Sequence, residues 1–276
     1  KANGDAYCWG KNGSGQLGTG DTTDRLEPTL VSGGHKFRKL SIASRATCGL
    51  KGDGSAYCWG NNGIFNRFGD GTDDNSLVPV PAGIGHIYRD LTMGSGHGCG
   101  AKEDGSTYCW GKNGSGQLGD ETTTTTDLPV AVIGGHTFKS VKGHSSHSCG
   151  LKDNGQMYCW GSNTLSALGV GDTIDRYEPT AVATSLQFDS HTGANNFTCA
   201  LTSAGKSYCW GYNFDGQLGD GDPGVSKNSP VAVIQGPVDV HAMLAGAPAG
   251  TWSDSNLDIT VGGLGVVSYQ YRSEEH

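Results

Sequence analysis

The sequence predicts an all-β protein, a β-propeller built of four-stranded blades of about 50 residues each. Three observations predict it. The tetrad Tyr-Cys-Trp-Gly occurs five times, beginning at Tyr7, Tyr57, Tyr108, Tyr158 and Tyr208, in steps of 50, 51, 50 and 50 residues. So regular a period marks an array of one repeated unit. Gly supplies 47 of the 276 residues and charged residues only 17%, which suits short strands joined by tight turns in which Gly takes positive φ. Within each unit the apolar stretches are short and bounded by Gly, Asp, Asn or Pro, and no apolar pattern of period 3.6 is sustained. That is the signature of strands.

The unit from Trp9 to Cys58 shows the elements in order. It opens with the turn-rich stretch Trp9 to Gly18, and Leu17 is expected to pack inward. Strands are expected at Glu27 to Val31, Phe37 to Ile42, Ala46 to Lys51 and Ser55 to Cys58. Four antiparallel strands per unit read as a propeller blade. A β-solenoid is the main rival, but its coils are usually shorter and lack this last hairpin.

The cysteines define that hairpin. Cys48 and Cys58, Cys99 and Cys109, Cys149 and Cys159, and Cys199 and Cys209 are each ten residues apart. The joining turns, Gly52 to Gly54, Glu103 to Gly105, Asp153 to Gly155 and Ser203 to Gly205, all end in Gly, as a bulged three-residue turn requires. If Lys51 faces Ser55, then Gly49 faces Tyr57, where a small residue leaves room for an aromatic ring. Cys48 then faces Cys58 at a non-hydrogen-bonded site with Cα atoms about 4.5 Å apart, within disulfide reach. Such a bridge stabilises by roughly 2.5–3 kcal/mol on the chain-entropy argument. Four disulfides imply an oxidising compartment; the alternative is four pairs of reduced, buried thiols. Cys8 is the odd one of nine, and its partner would lie before Lys1. The chain is therefore expected to be a fragment of a longer protein, beginning inside a hairpin.

The organisation follows. Residues 1–246 are expected to form propeller repeats, with units 9–58, 59–109, 110–159 and 160–209 and partial units 1–8 and 210–246. Val238 to Met243 is a candidate strand to close a five-bladed ring; alternatively, upstream blades are missing and the ring is larger. Residues 247–276 read as a linker (Ala247 to Gly250) and a hairpin, Leu257 to Val261 and Val266 to Tyr271, of a second, truncated β domain. The alternative is a C-terminal extension packed on the propeller.

The pattern Trp-Gly-x-Asn-x-x-Gly-Gln-Leu-Gly, followed by Pro and a Gly-turned hairpin, resembles the regulator of chromosome condensation repeat. The resemblance covers roughly residues 1–236. It is closest at Trp9 to Gly18, Trp110 to Gly119 and Trp210 to Gly219, and looser at Trp59 to Gly69 and Trp160 to Gly169. It implies a propeller, commonly seven-bladed, that recognises proteins through loops on a rigid ring. Members range from a nucleotide-exchange factor that also binds nucleosomes, through plant ultraviolet photoreceptors, to a secreted bacterial inhibitor of β-lactamase. No exchange-factor residue can be carried over, because no wedge segment is recognisable. The paired cysteines look more like those of secreted bacterial relatives than of nuclear members.

Candidate sites are few. Gly13 to Gly18 and Gly114 to Gly119 match G-x-G-x-x-G, but no helix is expected after them, so they read as turns. His144 and His147, with His97 at the repeat position of His147, fall short of the convergent ligands that zinc needs. Asp70, Asp73 and Asp74, and Asp220 and Asp222, lack EF-hand spacing and read as solvated loops. Asn12, Asn113 and Asn196 open sequons and are candidate glycosylation sites. No Gly-x-Ser-x-Gly elbow occurs. No catalytic, metal or cofactor residue is assigned.

Net charge is −8, whereas a nucleic-acid binder more often shows a basic face. No apolar run approaches the roughly 20 residues of a membrane span. The expected function is a non-catalytic extracellular or cell-surface repeat protein, secreted or periplasmic, whose loops bind a protein or glycan, as in adhesion. One alternative is a structural subunit of an extracellular fibre that completes its edges by self-assembly. Another, from the resemblance, is an intracellular exchange factor or regulator.

Overall fold

Each four-stranded sheet is anchored by its glycine-ended turn. In the computed structural model, Lys51 N donates to Ser55 O (2.9 Å) and Gly54 N to Lys51 O (3.1 Å). Gly54 lies at φ +82°, with Gly105, Gly155 and Gly205 at +82°, +83° and +76°, the left-handed region that glycine enters without steric cost. Asp53 Oδ1 accepts from the amide and hydroxyl of Ser55, and Asp104 does the same for Ser106.

The structure describes residues 2–234, 253–254, 257–262 and 266–271. The chain divides into two compact units, Lys1–Val233 and Ile234–His276.

The first unit holds four four-stranded antiparallel meanders and one two-stranded sheet. The two-stranded sheet pairs β1 (Tyr7–Gly10) with β2 (Arg25–Leu30). The first full blade contains β3 (Phe37–Ile42), β4 (Ala46–Lys51), β5 (Ala56–Gly60) and β6 (Ser76–Ala82). The second contains β7 (Asp90–Met93), β8 (His97–Ala101), β9 (Thr107–Gly111) and β10 (Thr126–Ala131). The third contains β11 (Ser140–Gly143), β12 (His147–Leu151), β13 (Met157–Gly161) and β14 (Arg176–Ala181). The fourth contains β15 (Ser190–Gly193), β16 (Phe197–Leu201), β17 (Ser207–Gly211) and β18 (Lys227–Ala232).

A blade is therefore offset from the sequence unit. The unit 9–58 gives its Pro-bearing strand, β2, to the sheet that contains β1, and gives β3, β4 and the start of β5 to the next sheet. The long Gly-Gln-Leu-Gly stretch between Trp9 and β2 returns the chain to the outer edge of the sheet it has just left. On those outer strands Pro28, Pro79, Pro129, Pro179 and Pro230 recur, where a missing N–H blunts an otherwise open edge.

The first strands of successive blades, β3, β7, β11 and β15, lie beside one another and form the inner wall. The apolar cores lie between neighbouring blades. One joins Cys48, Leu50, Cys58 and Phe68 to Tyr88, Leu91 and Trp110; another joins Cys149, Leu151 and Leu168 to Phe188 and Trp210.

Two recurring glycines make these contacts possible. Gly49 faces Tyr57 across the hairpin, as read from the sequence, but the ring it admits is a different one. A Cβ at Gly49 would lie 2.5 Å from the ring of Phe37, and Gly100 and Gly150 stand in the same relation to Tyr88 and Phe138. The inner strand folds its leading aromatic across the middle of the blade, and only its pairing with β4 reveals that. Between blades, Gly18, Gly69, Gly119 and Gly169 each lie flat against the indole of the next blade, Trp59, Trp110, Trp160 and Trp210. Those four indoles are fully buried.

In the second unit, β19 (Ser253–Asp254), β20 (Leu257–Gly262) and β21 (Val266–Tyr271) form an antiparallel sheet, with Leu257 paired to Tyr271 and Gly262 to Val266. Val238 to Met243 and the linker Ala247 to Gly250 lie outside the described residues.

Candidate functional site

The recurring residues turn out to be structural. Asn12, Asn62, Asn113, Asn163 and Asn213 are fully buried. Each accepts a backbone N–H at Oδ1, from Leu17, Phe68, Leu118, Leu168 and Leu218 respectively. Each donates from Nδ2 to carbonyls at the far side of its turn: Asn12 to Asp21 O and Thr23 O, Asn113 to Thr122 O. This corrects the sequon reading at Asn12 and Asn113. Their amide nitrogens are enclosed and occupied, so a glycan there is incompatible with the folded blade. Asn196 is half-buried in the turn before β16.

The G-x-G-x-x-G stretch is the turn that this asparagine holds closed, with Gly15 N donating to Asn12 O and Gly18 N to Gly15 O. Trp59 Nε1 reaches back to Gln16 O, Trp110 Nε1 to Arg67 O and Trp160 Nε1 to Gln117 O, at 2.9–3.0 Å. The acidic loops serve as turn closures too. Asp70 Oδ1 accepts from Thr72 N and its hydroxyl, and Asp220 Oδ1 from Asn213 Nδ2 and Asp222 N. Lys227 pairs with both Asp220 and Asp222.

The cysteine partners face each other in all four blades, with Cα atoms 4.0–4.1 Å apart, and all four pairs are bonded. Cys8 is buried and free, and burial pushes its thiol pKa up.

Histidines cluster between the second, third and fourth blades. His97 Nε2 lies 2.9 Å from Ser148 Oγ, and His147 Nε2 lies 3.0 Å from Thr198 Oγ1. Both pairs resemble a nucleophile with its base, but the protons run the other way. Ser148 spends its hydroxyl proton on Gln117 O, and Thr198 spends its own on Ala167 O. Each imidazole must therefore donate from Nε2, and a hydroxyl so placed cannot be activated by it. Ser148 and Thr198 are also fully buried. These are braces between blades. His144 lies against His147 in a tilted arrangement, with ring centroids 4.5 Å apart. Cys149 is close enough to complete a metal-binding triad with them, but its sulfur is bonded to Cys159. Burial brings His97 down to a pKa of about 3 and His144 to about 4, and holds His147 and His191 well below the ordinary range. All four imidazoles are neutral at pH 7.

The inner wall is different in kind. Equivalent positions carry Arg38, Arg89, Lys139 and Asp189, then Lys39, Asp90, Ser140 and Ser190, then Ser41, Thr92, Lys142 and Thr192. They bond from blade to blade. Arg38 donates to Tyr88 O and Arg89 O, and Arg89 to Phe138 O. Ser41 Oγ accepts from Met93 N and Thr92 Oγ1 from Gly143 N. Lys39 pairs with Asp90, and Lys139 with Asp189. Between β7, β11 and β15 they leave an open cavity of about 500 Å³, lined by Arg89, Asp90, Lys139, Ser140, Lys142, Asp189, Ser190 and His191. Sequence reasoning missed this site. Its signal was a basic row at one repeat position, legible only once the innermost strand is known.

Comparisons with known proteins agree with this architecture. Two family models described as Regulator of chromosome condensation (RCC1) repeat match, one at residues 3–50 and 104–151, the other at 88–117, 143–166 and 193–217. Together they span more than half of the chain. The ultraviolet-B receptor UVR8 of Arabidopsis thaliana is 31% identical over 120 residues, 42% of this chain and 27% of the receptor. The E3 ubiquitin-protein ligase HERC2 of Homo sapiens is 30% identical over 119 residues, 40% of this chain and 2% of the ligase. The chain thus spans about a quarter of the receptor's length and a small fraction of the ligase's. Among solved structures, yeast RCC1 (Prp20) bound to Kap60 superposes with a TM-score of 0.74 at 20% identity, covering 85% of this chain and 58% of that one. Human WBSCR16 gives 0.74 at 18% identity, covering 84% and 63%. These last likenesses are of fold. From the repeated Trp-Gly unit, the blades it builds and the family matches, the chain belongs to the regulator of chromosome condensation repeat family, and its first unit is an array of β-propeller blades.

Proposed function

We propose that the chain is a non-catalytic binding module of a secreted or cell-surface protein, whose inner-wall face receives a protein or glycan partner. The observation that carries this reading is the contrast within the repeat. The Trp, Gly, Asn and Cys positions recur because the scaffold uses them, whereas the inner-wall positions differ from blade to blade in charge. A rigid frame with a varied polar face is what recognition requires. Bonded cysteine pairs in every complete blade support a compartment outside the reducing cytosol. A propeller of similar fold, yeast RCC1 (Prp20), is seen bound to the protein Kap60.

Two measurements test the reading. Thiol titration of the denatured, unreduced protein should find one thiol, Cys8; nine thiols would instead favour an intracellular regulator. A screen of secreted proteins and glycans should yield a ligand whose binding is lost in Lys139→Glu but kept in Lys11→Glu. Turnover in a hydrolase screen, or a ligand indifferent to Lys139→Glu, would overturn it.

A further inference from the structure

The polar cavity between β7, β11 and β15 has a charge balance unlike that of the rest of the chain. The protein as a whole carries a net charge of −8. Arg89, Lys139 and Lys142 line this cavity against Asp90 and Asp189, and both carboxylates are already engaged. Asp90 pairs with Lys39 and also accepts from Leu91 N and Val141 N. Asp189 pairs with Lys139. Among the described residues neither Arg89 nor Lys142 has a carboxylate at ion-pair distance.

Three further observations converge on the same wall. Arg89 uses one terminal nitrogen to brace Phe138 O, while its buried Nε has no partner among the described residues. His191 is 7% exposed, and its Nδ1 likewise has no partner there. Lys142 lies beside Lys39; its pKa is lowered first by burial and then by that second ammonium, and the nearby Asp90 carboxylate offsets this in part. Two cations held together and partly desolvated gain when an anion joins them. Ser190 adds a hydroxyl to the lining, and Ser140 adds another, its Oγ 3.5 Å from His191 Nε2 and free to donate into the cavity when that nitrogen carries the imidazole proton.

We propose that this cavity is a binding site for a tetrahedral oxyanion, a phosphate or sulfate group, held by Lys142, Arg89 and Lys139 with the hydroxyls of Ser140 and Ser190. The guanidinium and two ammoniums supply the charge, and the unused Nε supplies a directed donor. Three or more donors arriving from different strands suit the several oxygens of a tetrahedral group better than the two of a carboxylate. The assignment rests on the inner wall being the recognition face and names the chemistry recognised there.

The test uses small anions, so that it can fail while the partner reading stands. Equilibrium dialysis of the full chain against radiolabelled inorganic phosphate, at low chloride, should show saturable binding of about one phosphate per chain. Acetate should not compete. Competition by sulfate equal to that by phosphate marks a site indifferent to the central atom; phosphate alone marks a phosphate site, and either supports the assignment. Lys142→Met should weaken binding at least tenfold. Ser190→Ala, at an exposed position that no fold contact depends on, should weaken it several-fold. Lys11→Met should leave it unchanged. Non-saturable uptake, equal competition by acetate, or Lys142→Met and Ser190→Ala proteins that are folded and bind as the parent does would each overturn the proposal.

Discussion

The turn that follows each Trp-Gly and the inner wall of the blades obey opposite rules. In the turn, five asparagines sit in the same buried hole, close the same loop and hold an inward apolar residue at the same position, Leu in four and Phe68 in one. On the inner wall, the positions of Arg38, Arg89 and Lys139 give way to Asp189 in the fourth blade, and those of Lys39 and Asp90 to Ser140 and Ser190. A buried polar group must find its partners or pay in lost solvation, so the turn admits one answer. A half-exposed side chain on a wall has no such constraint. Repetition therefore reports the frame, and departure from repetition reports where the molecule is free to be specific.

The contrast can be broken first at the indoles. Trp160→Ala should destabilise the protein by about 3–5 kcal/mol, since it empties a fully buried site and leaves Gln117 O with Ser148 Oγ as its remaining donor. Chemical denaturation measures this, and a loss under 1 kcal/mol would mean that the blade junction does not carry the fold. Next come the staples. Replacing Cys149 and Cys159 together by Ala should cost roughly 2.5–3 kcal/mol, with the blade still folded.

Acid should act through the same junctions. His97, His144, His147 and His191 are held below their ordinary pKa of 6.5, so the unfolded chain takes up protons that the folded chain refuses. Their contribution is full above about pH 6.5 and is lost as pH falls toward the folded values near 3 to 4. Each histidine adds up to about 1.4 kcal/mol per pH unit to the slope within that window. Urea midpoints at pH 7, 6 and 5 should fall in the parent and fall less steeply in His147→Gln; parallel slopes would show that the braces do not titrate as argued. The smallest effects belong to the wall. Ser190→Ala and Lys139→Ala should stay within about 0.5 kcal/mol of the parent, and a larger loss would make the wall part of the frame after all.

Much of the frame was legible because its signals are local. The ten-residue cysteine spacing and the Gly-ended turns fix the hairpin register, and Cys48 does face Cys58. Contacts between blades were not legible. Trp59 bonds Gln16 O, 43 residues earlier, and His97 meets Ser148, 51 residues later; neither distance means anything until strands are assigned to blades. The sequons at Asn12 and Asn113 misled for a related reason. A three-residue motif records chemistry but not burial, and these amides had been claimed by the turn. Gly49 was read as making room for Tyr57 because only the hairpin was in view, whereas Phe37 arrives from a third strand.

The offset between sequence unit and blade has a mechanical outcome. Every unit lends an edge to the sheet behind it and begins the sheet ahead, as overlapping tiles share their nails. Excising one unit cleanly at its tryptophans joins the inner part of one blade to the outer strand of the following one, and the spliced sheet is still complete because the strands are interchangeable. Such an array can lengthen or shorten by whole units without leaving a ragged seam.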